Sequence, residues 1–282
     1  MLPRAVLAPW SWQTLTVQQA ERLALGLVAA ERARRANVTG AEVLEIDGLV
    51  LALANLPDPA LSSVVVEALP RDAVAALVAA EAEFARRGLQ FGIDLQVGRH
   101  PEVDAAVRLM GLTCIIQRPG LVIDPVALPE VRVPDGVEIR AVDGPDDAEA
   151  LVQVGVLAFG DDPDTGRAFY GAGALGAPDA QMFVGWQGAE PVAIAAGYRD
   201  GPTTGVMGVG VVPAARGRGI GSAMTVWAGR AFTGADLAWL HPSDEARSMY
   251  ARLGFQQVSE WEVWVREPGA ADDVDVEAAR LP

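Results

Sequence analysis

Residues 211–224 read VVPAARGRGIGSAM, a valine pair and a proline followed by an arginine and glycine loop that runs into an apolar segment. Where a strand ends and a helix opens at once, several backbone amides lack intrahelical partners. The helix dipole adds positive charge at the same point, so the place suits phosphate oxygens. Gly217, Gly219 and Gly221 keep side chains out of the approach and permit positive φ, and Arg216 and Arg218 add charge. The third residue after Gly219 is Ser222, which breaks the GxGxxG spacing of a dinucleotide loop. The chain contains no lysine, which excludes a Walker loop.

Upstream of the loop, MFVGWQ (182–187), PVAIAAGY (191–198) and GVMGVGVV (205–212) are separated by turn residues and predict an antiparallel meander. Downstream, SAMTVWAGRAF (222–232) has helical length, LAWL (237–240) is a short strand, SDEARSMYARL (243–253) a polar helix and FQQVSEWEVWV (255–265) a last strand. VEIRAV (137–142) predicts a further strand, and PDDAEALVQVGVLAF (145–159) a helix opened by acids, as the dipole prefers. The fold class is mixed α/β (α+β), each sheet mostly antiparallel and flanked by helices.

Sliding the chain on itself gives one register. At an offset of 143, Pro70 falls on Pro213 and Gly111 on Gly254. In the same register VLEIDGLVLALAN lies over the first meander strands, LSSVVVEALP over TGVMGVGVVP and FGIDLQV over the LAWL strand. That predicts a duplication: a first domain over 1–123, a linker over the proline-rich 124–136, and a second domain over 137–282 with a short acidic tail. The first copy has Ala73, Ala76 and Val78 where the second has Arg216, Gly219 and Gly221, and Val107 where the second has Tyr250. It is expected to be degenerate, with neither phosphate cradle nor acid.

Composition bounds the partners. The chain of 282 residues carries 37 acidic and 22 basic side chains, a net charge of −15, which makes nucleic acid an unfavourable partner. One cysteine, Cys114, and two histidines leave little material for a disulfide or a zinc site, so no metal is expected and a cytoplasmic location is. Lacking a long apolar run, the chain is not expected to enter a membrane. Composition leaves a homodimer open.

The loop, read as RxxGxG over Arg216, Gly219 and Gly221, and a later Ser243, Ala246, Tyr250, Gly254 and Phe255 together resemble two motifs of the GNAT superfamily of acyl-CoA N-acyltransferases. The later motif of that family is NxxAxxxYxxxGF; Ser243 stands where asparagine is common. The resemblance spans 137–266 by motif and 42–123 by pattern. It implies acetyl-CoA as co-substrate, held by Val211, Val212, Arg216, Gly217, Arg218, Gly219, Ile220, Gly221, Ser222 and Ser243. It also implies an oxyanion donor among the backbone amides around Val211 and Val212, and Tyr250 as general acid toward the departing thiolate.

A tyrosine with an ordinary pKa of ~10 keeps its proton at neutral pH and can lend it to a thiolate of pKa ~8.5. The strand GVMGVGVV has no acid to act as base, which leaves a water chain to take the amine's proton. Asp161, Asp162 and Asp164 follow the first helix of the second domain, where the family's acceptor site is bordered. They are candidates to attract a cationic amine, and His241 a candidate to line the pocket. The expected activity is acetyl transfer to a primary amine of a small cationic acceptor. The alternative is a non-catalytic acyl-CoA-binding or regulatory module.

Overall fold

The computed structural model describes residues 9–36, 38, 40–54, 62–160, 162–170 and 176–267. In the first half of the chain these form α1 (Pro9–Ala36), β1 (Glu42–Ile46), β2 (Leu49–Leu53), β3 (Ser63–Val66), α2 (Ala73–Arg86), β4 (Gly92–Gln96), α3 (Pro101–Leu109) and β5 (Thr113–Ile123). The second half forms β6 (Val137–Ala141), α4 (Pro145–Phe159), α5 (Pro163–Tyr170), β7 (Ala180–Gln187), β8 (Glu190–Asp200), β9 (Thr203–Val211), α6 (Ile220–Gly229), β10 (Leu237–Leu240), α7 (Arg247–Leu253) and β11 (Gln256–Val265).

The chain divides into two compact units, and neither is contiguous. Unit one takes the described residues of Met1–Val38 and Pro119–Ser259; unit two takes those of Thr39–Arg118 and Glu260–Pro282. The sequence suggests a division at 124–136, but strand pairing redistributes the ends. Within unit one the last residues of β5 pair antiparallel with β10, Leu121 opposite Leu240. Within unit two β11 pairs antiparallel with β4, Trp264 opposite Ile93. Residues 124–136 are no loose tether: Leu128 is buried in the core of unit one, and Arg230 donates to the carbonyls of Pro125 and Leu128.

Unit one is a sheet in the order β5-β10-β9-β8-β7-β6, antiparallel except where β10 runs parallel to β9. The apolar sides of α6 and α7 close one face: Ile220, Met224, Ala228, Tyr250 and Leu253 pack with Ala193, Ala195, Ala238 and Leu240. Trp239, almost fully buried, points to the other face, against Gly205 of β9 and Gly26 of α1. Helix α1 carries its own buried ion pair, Arg35 to Glu31 at 3.0 Å, and Arg34 donates to the same carboxylate at 2.7 Å.

Unit two has the order β1-β2-β3-β4-β11, with β3 parallel to β4. Its core joins Leu49, Leu51, Val64 and Ile93 to Phe84, Val107 and Trp264, with Phe84 and Phe91 stacked at 4.3 Å. Meander, helix, parallel strand and helix follow in the same order in both halves of the chain, in the register that the offset of 143 predicts. Cys114 is half-buried at the edge of this core, its thiol donating to the Ile116 carbonyl at 3.4 Å. Burial pushes that thiol's pKa up.

Candidate functional site

The pairing of β9 with β10 stops at Gly205 opposite Trp239, so the later part of β9 has an open edge. A one-residue bulge lies between the pairs Ala196–Met207 and Ile194–Gly210, and Gly208 takes φ 60 there. Such a bulge re-aims the residues that follow. Gly208 and Gly210 are therefore not equivalent: Gly208 is exposed at the bulge, while a Cβ on Gly210 would lie 2.7 Å from the Phe159 ring. At Gly210 packing against a bulky neighbour explains the glycine.

Backbone alternation then separates the two valines. The Val212 amide donates to the Val192 carbonyl of β8 at 3.0 Å, so it is committed to the sheet. Successive residues of a strand direct their polar groups to opposite edges, which turns those of Val211 to the open edge. The Val211 carbonyl accepts from Arg216 Nε there at 3.0 Å. Of the two valines, Val211 presents an N–H toward the open side.

Pro213 closes the strand with a single 3-10 turn, Pro213–Ala215, and the loop follows. Gly217 has φ 76 and Gly219 φ 87, left-handed values that other residues adopt at a cost of roughly 1–2 kcal/mol. No atom lies within 4 Å of where a Cβ would sit on either. The requirement for glycine is thus one of backbone conformation, whereas the sequence suggests a side chain that would intrude. Gly219 is the N-cap of α6 without a side-chain cap, and the first intrahelical bond is Ala223 N–H to the Gly219 carbonyl at 3.1 Å. The amides of Ile220, Gly221 and Ser222 precede it and stand at the positive end of the helix.

The two arginines are engaged elsewhere than the sequence reading supposes. Arg216 donates to the carbonyls of Val211 and, at 2.9 Å, of Ala158 in the last turn of α4, clamping the loop between two elements. Arg218 donates to Gln187 at 2.8 Å. An anion at this loop would be met mainly by backbone amides.

Tyr250 sits on α7, 6% exposed, its ring edge-on to Phe255 at 5.7 Å. Gly254 ends α7 in the left-handed conformation, and the Phe255 amide returns to the Tyr250 carbonyl at 3.1 Å. The Gly254-Phe255 pair thus caps the helix and braces the tyrosine. Burial pushes the phenol up to about 12, and a hydrogen bond with the Thr225 side chain opposes part of that rise.

These parts share one cleft of about 780 Å³ in unit one. Val211, Arg216, Gly217, Gly219, Ile220, Gly221, Ser222, Ser243 and Tyr250 line it, whereas Val212 and Arg218 do not. Sequence reading did not single out Phe159, Met249, Asp244 and Glu245, which also line it. Asp244 and Glu245 sit directly after Ser243 in a 3-10 turn, a placement that the helix assignment over 243–253 hid.

Among the described residues, Asp162, Asp164 and His241 do not line this cleft. Asp162 caps α5, accepting from the amides of Asp164 at 3.0 Å and Thr165 at 3.1 Å. Asp164 pairs with Arg167 at 2.7 Å. Both read as helix-start chemistry. Asp161 lies outside the described residues. His241 is half-buried with its ring 6.0 Å from that of Trp239.

In unit two the equivalent place is filled by the chain itself. Helix α2 begins at once after Asp72, whose carboxylate accepts from the Ala75 amide at 3.0 Å and so caps the helix. Arg99 donates to the carbonyls of Val66 and Glu67 at the end of β3. Among the described residues no group of three or more His, Cys, Asp or Glu is placed to hold a metal ion, and no helix is long and apolar enough to cross a membrane.

Residues 178–257 match the family model of the acetyltransferase (GNAT) domain. The sequence matches no curated protein. Among solved structures, a GCN5-related N-acetyltransferase from Kribbella flavida shares 25% identity at a TM-score of 0.67, over 88% of this chain and 98% of that one. A tandem GNAT protein from the clavulanic acid biosynthesis pathway shares 17% at 0.58, over 90% and 96%. A GCN5-related N-acetyltransferase from Sphaerobacter thermophilus shares 18% at 0.56, over 79% and 82%. The last two speak for the fold alone, and one of them has the tandem arrangement.

Proposed function

We propose, from the match of residues 178–257 to the acetyltransferase (GNAT) domain, that the chain is an N-acetyltransferase, moving an acetyl group from acetyl-CoA to a primary amine of a small acceptor. The observation that carries this reading is the cleft itself, where a helix start with uncapped amides and a proton-bearing phenol face one space. Three features fit acetyl-CoA: the amides of Ile220, Gly221 and Ser222 suit a diphosphate, the room above Gly217 and Gly219 is open, and the volume suits a ligand of that size class. Bound acetyl-CoA supplies an acyl group activated as a thioester.

The chain's own residues do the rest. The Val211 N–H on the open edge is the donor toward a developing oxyanion. Tyr250 holds a proton at neutral pH, well below its raised pKa, and lends it to the departing sulfur. Water carries off the amine's proton, since β9 brings no carboxylate. Asp162 and Asp164 are committed to capping and pairing, and Asp244 pairs with Arg247 at 2.8 Å, so a preference for a cationic acceptor rests on Glu245 in the cleft and on the net charge of −15. The test is thiol release from acetyl-CoA against a panel of amines, amino-sugars and peptide N-termini. Tight binding of acetyl-CoA with no acceptor-dependent release across the panel favours the non-catalytic module.

A further inference from the structure

Two residues that line the cleft bring the negative ends of backbone groups to it. Ala158 lies in the last turn of α4, where carbonyls have no intrahelical partner and the helix dipole is negative. The Val211 carbonyl projects from the open edge of β9, on the same side as the Val211 N–H. Left bare, each would repel an anion. Arg216 covers both: its Nε donates to the Val211 carbonyl at 3.0 Å and its Nη2 to the Ala158 carbonyl at 2.9 Å. The donors of a guanidinium are fixed in one plane, so a single side chain serves two elements at once. Swinging it to a phosphate would break both bonds and uncover both carbonyls.

We propose that Arg216 is a positioning residue of acyl transfer rather than a phosphate ligand. By holding the Val211 and Ala158 carbonyls it masks two negative poles at the cleft and leaves the open edge of β9 a donor, through the Val211 N–H, toward the oxyanion. The proposal rests on the acetyltransferase reading. In the step concerned, charge gathers on the acyl oxygen as the amine nitrogen bonds to the acyl carbon. It leaves that oxygen as the C–S bond breaks with its electron pair on sulfur, which takes the Tyr250 proton while water takes the amine's. Arg216 acts on the developing charge through the Val211 backbone, and the diphosphate is left to the amides of Ile220, Gly221 and Ser222.

The test pairs Arg216→Met, which removes every donor, with Arg216→Lys, which keeps the charge but offers a single nitrogen where two carbonyls of separate elements must be reached. Turnover at saturating acetyl-CoA should fall at least about tenfold in both, the worth of one hydrogen bond from a charged donor. Coenzyme A affinity, by titration calorimetry, should stay within about threefold of the parent in both. A readout without ligand accompanies them: the NMR resonance of the Val211 backbone carbonyl carbon, which should move in both variants. Binding weakened about tenfold in the methionine variant and restored by lysine makes Arg216 a phosphate ligand and overturns the proposal. An unmoved resonance, or turnover within about twofold of the parent, overturns it as well. A parent protein that releases no thiol sinks the acetyltransferase reading instead. The two failures are told apart because the resonance is read in the ligand-free protein.

Discussion

Gly219→Ala isolates backbone conformation from bulk. A Cβ there meets no atom within 4 Å, so no clash arises, but φ 87 places alanine in a region costing roughly 1–2 kcal/mol. That cost must appear somewhere. If the exposed loop relaxes in the free protein, the strain is imposed on binding, and coenzyme A affinity falls by about 5- to 30-fold. If the loop stays as it is, affinity holds and stability to urea drops by the same amount. The sum of the two losses, from titration calorimetry and urea unfolding on one preparation, should be about 1–2 kcal/mol. Gly221→Ala is the control: its Cβ would face Met249 Sδ at 3.3 Å and Val211 Cγ2 at 3.7 Å, with no positive φ. It should bind within about threefold of the parent. A Gly219→Ala protein unchanged in both measurements, or a Gly221→Ala protein that loses as much, would refute the assignment of the loop's function to left-handed backbone.

Tyr250→Phe should lower turnover by about 100-fold with coenzyme affinity unchanged, since the hydroxyl acts in the transition state; equal turnover means that the thiolate leaves unaided. The same variant has a stability signature. With a folded pKa of about 12 against an unfolded value near ~10, the folded state keeps a proton above pH ~10 that the unfolded chain sheds. Stability therefore falls as pH rises from ~10 to ~12, and the parent should lose about 3 kcal/mol more than the phenylalanine variant over that window. Coenzyme A should bind once per chain, because Asp72 and Arg99 occupy the corresponding place in unit two; a calorimetric stoichiometry near two contradicts this. Glu31→Ala should cost about 3–5 kcal/mol in urea unfolding by breaking the buried ion pair with Arg35, and a loss under about 1 kcal/mol would show that the pair contributes little.

Much of the fold could be read from periodicity and turn chemistry. The helix over 145–159 and the strand over 237–240 appear with those bounds. The helix expected from residue 222 begins two residues earlier, at Ile220, because Gly219 serves as its cap. Partnership was not legible. A run such as LVI in β5 announces burial but not that its neighbour is β10, some hundred residues on. Helix α1 likewise carries no local mark of lying against Trp239. In the site, the loop glycines and Tyr250 were legible because their types and spacing are restrictive. What the sequence does not reveal is which charges are already engaged: Arg216 by carbonyls, Asp162 by helix amides and Asp164 by Arg167.

The exchange of β5 and β11 constrains how this chain can change over evolutionary time. A domain that contributes nothing to a neighbour's sheet is ordinarily free to be deleted. Here Leu121, Val122 and Ile123 pair with β10, and α1, from the chain's first 38 residues, shelters Trp239. Removing the first copy would strip strand and cover from the unit that holds the cleft. Shared strands therefore work as a ratchet: whatever residues the first half carries at the places matching the cleft, its segments cannot be discarded without unmaking the second.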